Sequence, residues 1–176
     1  MKKTVWIVVL CLCTLIFASC NDSGNSKAES GKLTDVHEAV KKAYGENYLP
    51  SMDLGEEYLK EVVGLDMADV KEFVAEGPMI SAHIDLFIGV EAAEGKAAAV
   101  EEKLKQYLDA QIENMVTYPM NMPKLKASQV VRVDDYVFYV CLGAYDDDAT
   151  DEAQAQKFYE EQVKIGIQAI HDTLGK

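Results

Sequence analysis

Tyr136–Leu142 reads Tyr-Val-Phe-Tyr-Val-Cys-Leu and is apolar throughout. Successive side chains of a strand point to opposite sides. Tyr136, Phe138, Val140 and Leu142 therefore share one face, and Val137, Tyr139 and Cys141 share the other. A strand with two apolar faces must be covered on both, which places it inside a sheet and not at its edge. Its nearest partner is Ser128–Val133, joined to it by Asp134-Asp135. Aspartate tolerates left-handed backbone angles better than most residues, so a two-residue hairpin fits. A further strand is expected over Met79–Val90. There Ile80, Ala82, Ile84, Leu86, Ile88 and Val90 alternate with Met79, Ser81, His83, Asp85, Phe87 and Gly89.

Helical spacing fills the rest. Lys96–Thr117 carries Val100, Leu104, Tyr107, Leu108, Ile112 and Met115 as one stripe, with Pro119 as its stop. The last helix turns Tyr159, Val163, Ile167, Ile170 and Leu174 inward, with Thr150 as the expected N-cap. Near the start, Val36, Ala39, Val40, Ala43 and Tyr44 make a helix that Gly45 ends. Asp53 and Glu56 have capping-box spacing for a second helix, closed by Gly64-Leu65. A third short helix is expected from Asp66, with Val70, Phe73 and Val74 apolar and Gly77-Pro78 as its stop. The core order is then β-α-β-β-α, preceded by short helices. With the last strand central and antiparallel to both neighbours, the long helix is a right-handed crossover between parallel strands. This is an α+β fold with a split β-α-β core, a small antiparallel or mixed sheet and helices packed on it. It forms one domain over residues 33–176.

The N-terminus predicts an address. Lys2 and Lys3 precede an apolar run, Thr4–Phe17, of 14 residues, short of the ~20 that span a bilayer. Phe17-Ala18-Ser19-Cys20 follows, with two small residues before a cysteine. The pattern predicts a bacterial lipoprotein signal peptide over residues 1–19 and a diacylglyceryl lipid on Cys20. A plain membrane anchor and a secretory signal cut without lipidation are the alternatives. Asn21–Lys32 is a polar tether whose root-mean-square span is roughly 20 Å.

Cleavage before Cys20 leaves 157 residues, with 30 acidic against 15 basic side chains and a formal charge of −15. Such a chain repels nucleic acid and the anionic face of a bilayer, so membrane residence would rest on the lipid. Cys11 and Cys13 leave with the signal and Cys20 is alkylated. Cys141 alone remains, so the mature chain has no internal disulfide.

Ser81, His83 and Asp85 alternate on one expected strand face, about 6.5–7 Å apart along the backbone. Side by side they point in parallel, which suits a polar patch on a sheet face, with His83 hydrogen-bonded to Asp85, or the lining of a binding surface, better than a triad, and no Gly-x-Ser-x-Gly elbow is present. A His83–Asp85 metal pair lacks a third ligand. Asp146, Asp147, Asp148, Asp151 and Glu152 fail the calcium-loop spacing and read as a solvated loop at a helix N-terminus. No metal and no other cofactor is expected. Tyr118–Lys124 is a connection stiffened by Pro119 and Pro123 that carries Tyr118, Met120 and Met122. It fits either recognition or a cover over the sheet end.

Several separated segments carry a resemblance. They are Tyr44-Gly45 with Tyr48-Leu49-Pro50, Glu76-Gly77-Pro78-Met79-Ile80-Ser81-Ala82-His83-Ile84-Asp85, and Tyr118-Pro119-Met120-Asn121 with Lys124. Over roughly Val36–Gly143 the chain resembles the domain of unknown function 4358 family of small Gram-positive lipoproteins. The resemblance implies a location and a shared domain, and directs attention to Ser81, His83, Asp85, Tyr118, Asn121 and Lys124. The expected function is a membrane-tethered, extracytoplasmic, non-catalytic domain. It would bind an envelope protein, a cell-wall fragment or a small molecule. The alternative is an extracytoplasmic hydrolase or metal-dependent enzyme at His83 and Asp85.

Overall fold

The structure, a computed structural model, describes residues 31–146 and 151–176. The signal peptide, Cys20, the tether up to Ser30, and Asp147–Thr150 lie outside the described residues. The elements are α1 (Lys32–Tyr44), β1 (Met52–Asp53), α2 (Glu56–Tyr58), β2 (Val70–Gly77), β3 (Leu86–Ala92), α3 (Ala97–Asn114), α4 (Met122–Ala127), β4 (Gln129–Val133), β5 (Tyr136–Cys141) and α5 (Glu152–Leu174). Helix α2 continues into a π turn, Leu59–Val63. The sheet order is β1-β2-β3-β5-β4, with every neighbouring pair antiparallel.

Strand β5 lies between β3 and β4, as its two apolar faces require. Strands β3 and β4 are both antiparallel to it and hence parallel to each other, with α3 between them in the chain. The β4–β5 hairpin closes at Val133 and Tyr136 around Asp134, whose φ is 53°. The two faces of β5 feed two apolar layers. Val137, Tyr139 and Cys141 join Ile88, Val90, Val100 and Leu104 beneath α3 and the π turn. Phe138, Val140 and Leu142 join Leu33, Val36, Val40, Phe87, Val163 and Ile170 beneath α1 and α5. Among the described residues, both layers and the whole sheet come from residues 33–174, all of which a chain beginning at Asn21 contains.

Several expectations are corrected. Val70–Gly77 is a strand, not a helix. Apolar residues at Val70, Phe73 and Val74 suit either period, and the β-branched and aromatic side chains find cross-strand partners, Phe73 with Val90 and Val74 with Gly89. Gly89 admits this close approach, since a Cβ there would sit 3.0–3.2 Å from Leu33, Val74 and Phe138. The strand expected from Met79 begins instead at Leu86. Pro78 has no N–H for a ladder, and a turn closed by His83 N–H donating to Ile80 O (3.0 Å) takes the intervening residues out of the sheet. Helix α3 ends at Asn114, before Pro119 is reached, because Met115 turns to extended angles. Tyr118–Lys124 is not an open loop but a 3-10 turn (Pro119–Asn121) that leads into α4. The expected capping box of Asp53 with Glu56 does not form: Gly55 precedes α2 without a side-chain cap. Asp151, not Thr150, caps α5 through the Gln154 N–H (2.9 Å).

Candidate functional site

Three connections meet at one end of the sheet: residues 78–85 between β2 and β3, residues 115–121 before α4, and residues 142–146 after β5. What joins them is a buried ion pair. Lys124 Nζ lies 2.6 Å from Asp85 Oδ1, and neither side chain is exposed to solvent. The ammonium also donates to Gly143 O (2.7 Å) and sits 3.8 Å above the Tyr145 ring centroid. Tyr145 donates its hydroxyl to Asp85 Oδ2 (2.8 Å) and accepts from the Ile84 N–H (3.3 Å). Buried charges survive when their donors and lone pairs are engaged in this way. Burial, reinforced by the Asp85 charge, pushes the Tyr145 phenol well above its ordinary value, so it stays a donor. The Gly143 carbonyl depends on glycine. Its φ is 120°, and a Cβ would lie 2.6 Å from Gln162 Cβ.

Asn121 makes a second tie. Its side-chain amide donates to Ala82 O (2.9 Å) and to Thr117 Oγ1 (2.9 Å), which locks the first two connections together. Above this base lies a front cavity of about 460 Å³ lined by Ala82, His83, Tyr118, Met120, Asn121 and Tyr145. His83 is half-buried and meets the Tyr145 ring edge-on at 4.9 Å. Its Nδ1 is buried and has no hydrogen-bond partner among the described residues. Two further cavities, of about 280 and 220 Å³, also reach His83, so the imidazole stands at a junction.

The surroundings are apolar and exposed: Met79 is 74 %, Ile80 61 % and Met120 71 % accessible, and Val116 is fully so. Residues 77–84 and 114–123 contain no Asp, Glu, Lys or Arg, unusual in a chain of which 27 % is charged.

Of the residues singled out in the sequence, the fold brings His83, Tyr118 and Asn121 to one cavity. Asp85 and Lys124 lie beneath it and engage each other. Ser81 is exposed on the turn, and among the described residues no hydrogen bond joins it to His83. The parallel row of Ser81, His83 and Asp85 therefore does not form, because the segment is a turn. Both Asp85 oxygens already accept a hydrogen bond, Oδ1 from Lys124 and Oδ2 from Tyr145. No group of three or more His, Cys, Asp or Glu side chains is placed to hold a metal among the described residues. Tyr145 carries no local signal in the sequence, since its role arises from a contact 60 residues away. No helix among the described residues is long and apolar enough to cross a membrane.

A family profile described as "Domain of unknown function (DUF4358)" matches residues 43–142. The match takes in both uncharged segments, the Asp85–Lys124 pair and all of β5, and stops short of Tyr145 and α5. No curated protein and no solved structure matches the chain.

Proposed function

The chain belongs to the DUF4358 family, and from that premise we propose that it is a non-catalytic binding domain, held outside the cytoplasm by a lipid on Cys20. The observation that carries the reading is the division of labour around His83. The acid and base beneath the front cavity, Asp85 and Lys124, neutralise each other below the surface. The surface itself offers Tyr118 and Met120, with His83 half-buried beside them and Asn121 at the base, which supply contact area and hydrogen bonding. A general acid or base needs a proton-exchanging group within reach of a substrate, and Asp85 lies under Tyr145 and Lys124. The alternative, a hydrolase or metal-dependent enzyme at His83 and Asp85, loses its second member for that reason. The address rests on the Lys2-Lys3, Thr4–Phe17 and Ala18-Ser19-Cys20 pattern, and the acidic mature chain disfavours nucleic acid as a partner.

Two measurements test the reading. Cys20→Ala should abolish incorporation of a labelled fatty acid and leave the protein uncleaved or released; persistent labelling refutes the anchor. The chain beginning at Asn21 should show a thermal shift with an envelope peptide or cell-wall fragment, and Tyr118→Ala with Met120→Ser should remove it. Turnover of such a fragment that depends on His83 would refute the non-catalytic assignment.

A further inference from the structure

The cavity of about 280 Å³ shares His83 with the front cavity but is not lined by Tyr118. Its mouth is formed by the partly exposed Met52, Val62 and Met115, and its interior by Tyr58, Tyr107 and Tyr139. We propose that this second cavity is a binding site for an uncharged, largely apolar small molecule that carries one hydrogen-bonding group for His83 Nδ1. The proposal rests on the binding-domain reading above and adds a site and a ligand class to it.

Four observations converge. The wall is apolar and aromatic, and the ionic side chain in it, Asp85, is already matched by Lys124 and Tyr145. A charged ligand would be buried there without a counter-ion, which is strongly unfavourable. Two of the three phenols, Tyr58 and Tyr107, bond to each other at 2.8 Å. Burial is the main cause that holds both phenols above their ordinary value.

His83 Nδ1 is the exception, a buried polar atom without a partner among the described residues. Leaving such an atom unsatisfied costs about 1–3 kcal/mol; the His83 ring lines this cavity, so a turn of the imidazole that offers Nδ1 to a ligand group there would recover it. The wall that carries Val62 is the π turn Leu59–Val63, closed by Gly64 at φ 81° and by Leu65 N–H donating to Leu59 O (2.9 Å). Single π turns are rare and recur at functional sites, because they widen the backbone where room is needed. Here the widened turn faces the cavity. Space, chemistry, an orphaned donor or acceptor and an irregular helix thus coincide in one place.

The test uses the chain beginning at Asn21 and three probes with one skeleton, read by calorimetry and ligand-observed NMR. 1-Naphthol has a polar handle, naphthalene has none, and 1-naphthoate is charged. The expected result is binding of naphthol up to about tenfold tighter than naphthalene, the size of one hydrogen bond, with naphthoate weaker than naphthol. His83→Phe should erase the advantage of naphthol and leave naphthalene binding nearly unchanged. Val62→Trp, at the exposed mouth where folding is spared, should block both. Tyr118→Ala, in the front cavity, should leave naphthol affinity unchanged. No binding of naphthol, equal binding of naphthol and naphthalene, or insensitivity to Val62→Trp overturns the proposal. Loss on Tyr118→Ala in place of Val62→Trp also overturns it, by moving the ligand to the front cavity, and leaves the broader binding role intact. Failure of the broader role would show in the Cys20 and front-cavity measurements, which these probes do not touch.

Discussion

Replacing Lys124 by Met should be among the most damaging single changes available to this domain. Methionine matches the length of the lysine stem but removes its charge and donors. Asp85 would be left fully buried, with Tyr145 as its remaining side-chain donor, and the Gly143 carbonyl would lose the ammonium 2.7 Å away. Removing one partner of a buried ion pair costs about 3–5 kcal/mol, because the other charge stays behind uncompensated. Against a total stability of about 5–15 kcal/mol, that is about a fifth at the least and can be the whole. At roughly 2–4 °C per kcal/mol for a domain of this size, the midpoint should fall by roughly 6–20 °C.

Asp85→Leu alone should be similarly harmful, since it strands a buried ammonium. The double variant should be far better than the sum of the two, because no buried charge remains. Its residual deficit of about 1–2 kcal/mol reflects the unpartnered Tyr145 hydroxyl and Gly143 carbonyl. Urea unfolding of the chain beginning at Asn21, followed by far-ultraviolet circular dichroism, gives all four corners of the cycle. Additive single effects, with coupling under about 0.5 kcal/mol, would mean that the ions do not sense each other and would refute the argument.

Two more predictions follow from buried groups elsewhere. Glu76 is bound by the Tyr48 hydroxyl (2.8 Å), His37 Nε2 (3.1 Å) and Lys41 Nζ (3.3 Å). Burial pushes its carboxyl up, but these partners together outweigh burial and hold it below its ordinary 4.5. A lowered folded value stabilises above the unfolded value, and that contribution fades as pH falls below about 4.5. The stability gap between wild type and Glu76→Gln should therefore be constant near neutrality and shrink in acid, measured by urea midpoints from roughly pH 6 to 3; a gap that widens in acid contradicts the sign. Burial raises the Cys141 thiol to about 11, so in the chain beginning at Asn21 it should resist iodoacetamide until the protein unfolds. Rapid labelling of the native state would show that the strand opens.

Much of the sheet could be read from local pattern. The two apolar faces of Tyr136–Leu142 placed β5 between neighbours, and Asp134-Asp135 marked the hairpin, because side-chain alternation and turn chemistry act over a few residues. Val70–Gly77 was misread because its three apolar positions suit a helix or a strand equally, and pairing with β3 broke the tie. Alternation continued through Met79–Ile84 although Pro78 and the Ile80–His83 turn removed that stretch from the ladder. The candidate site was half legible. His83, Tyr118 and Asn121 do share a cavity, but Asp85 and Lys124 proved to be its foundation. Tyr145 was invisible, because nothing near it in the chain announces a contact with Asp85.

By itself, the sequence determined the α+β class, the central strand, the family and the acidic character of the chain, all of which follow from composition, short-range periodicity and separated motifs. Tertiary structure decided which polar residues are chemistry and which are scaffold. The reason is that the fate of an ionisable side chain depends on what the fold stacks against it. Asp85 and Lys124 are 39 residues apart, and only when the connections converge do they cancel and leave the half-buried His83 at the cavities.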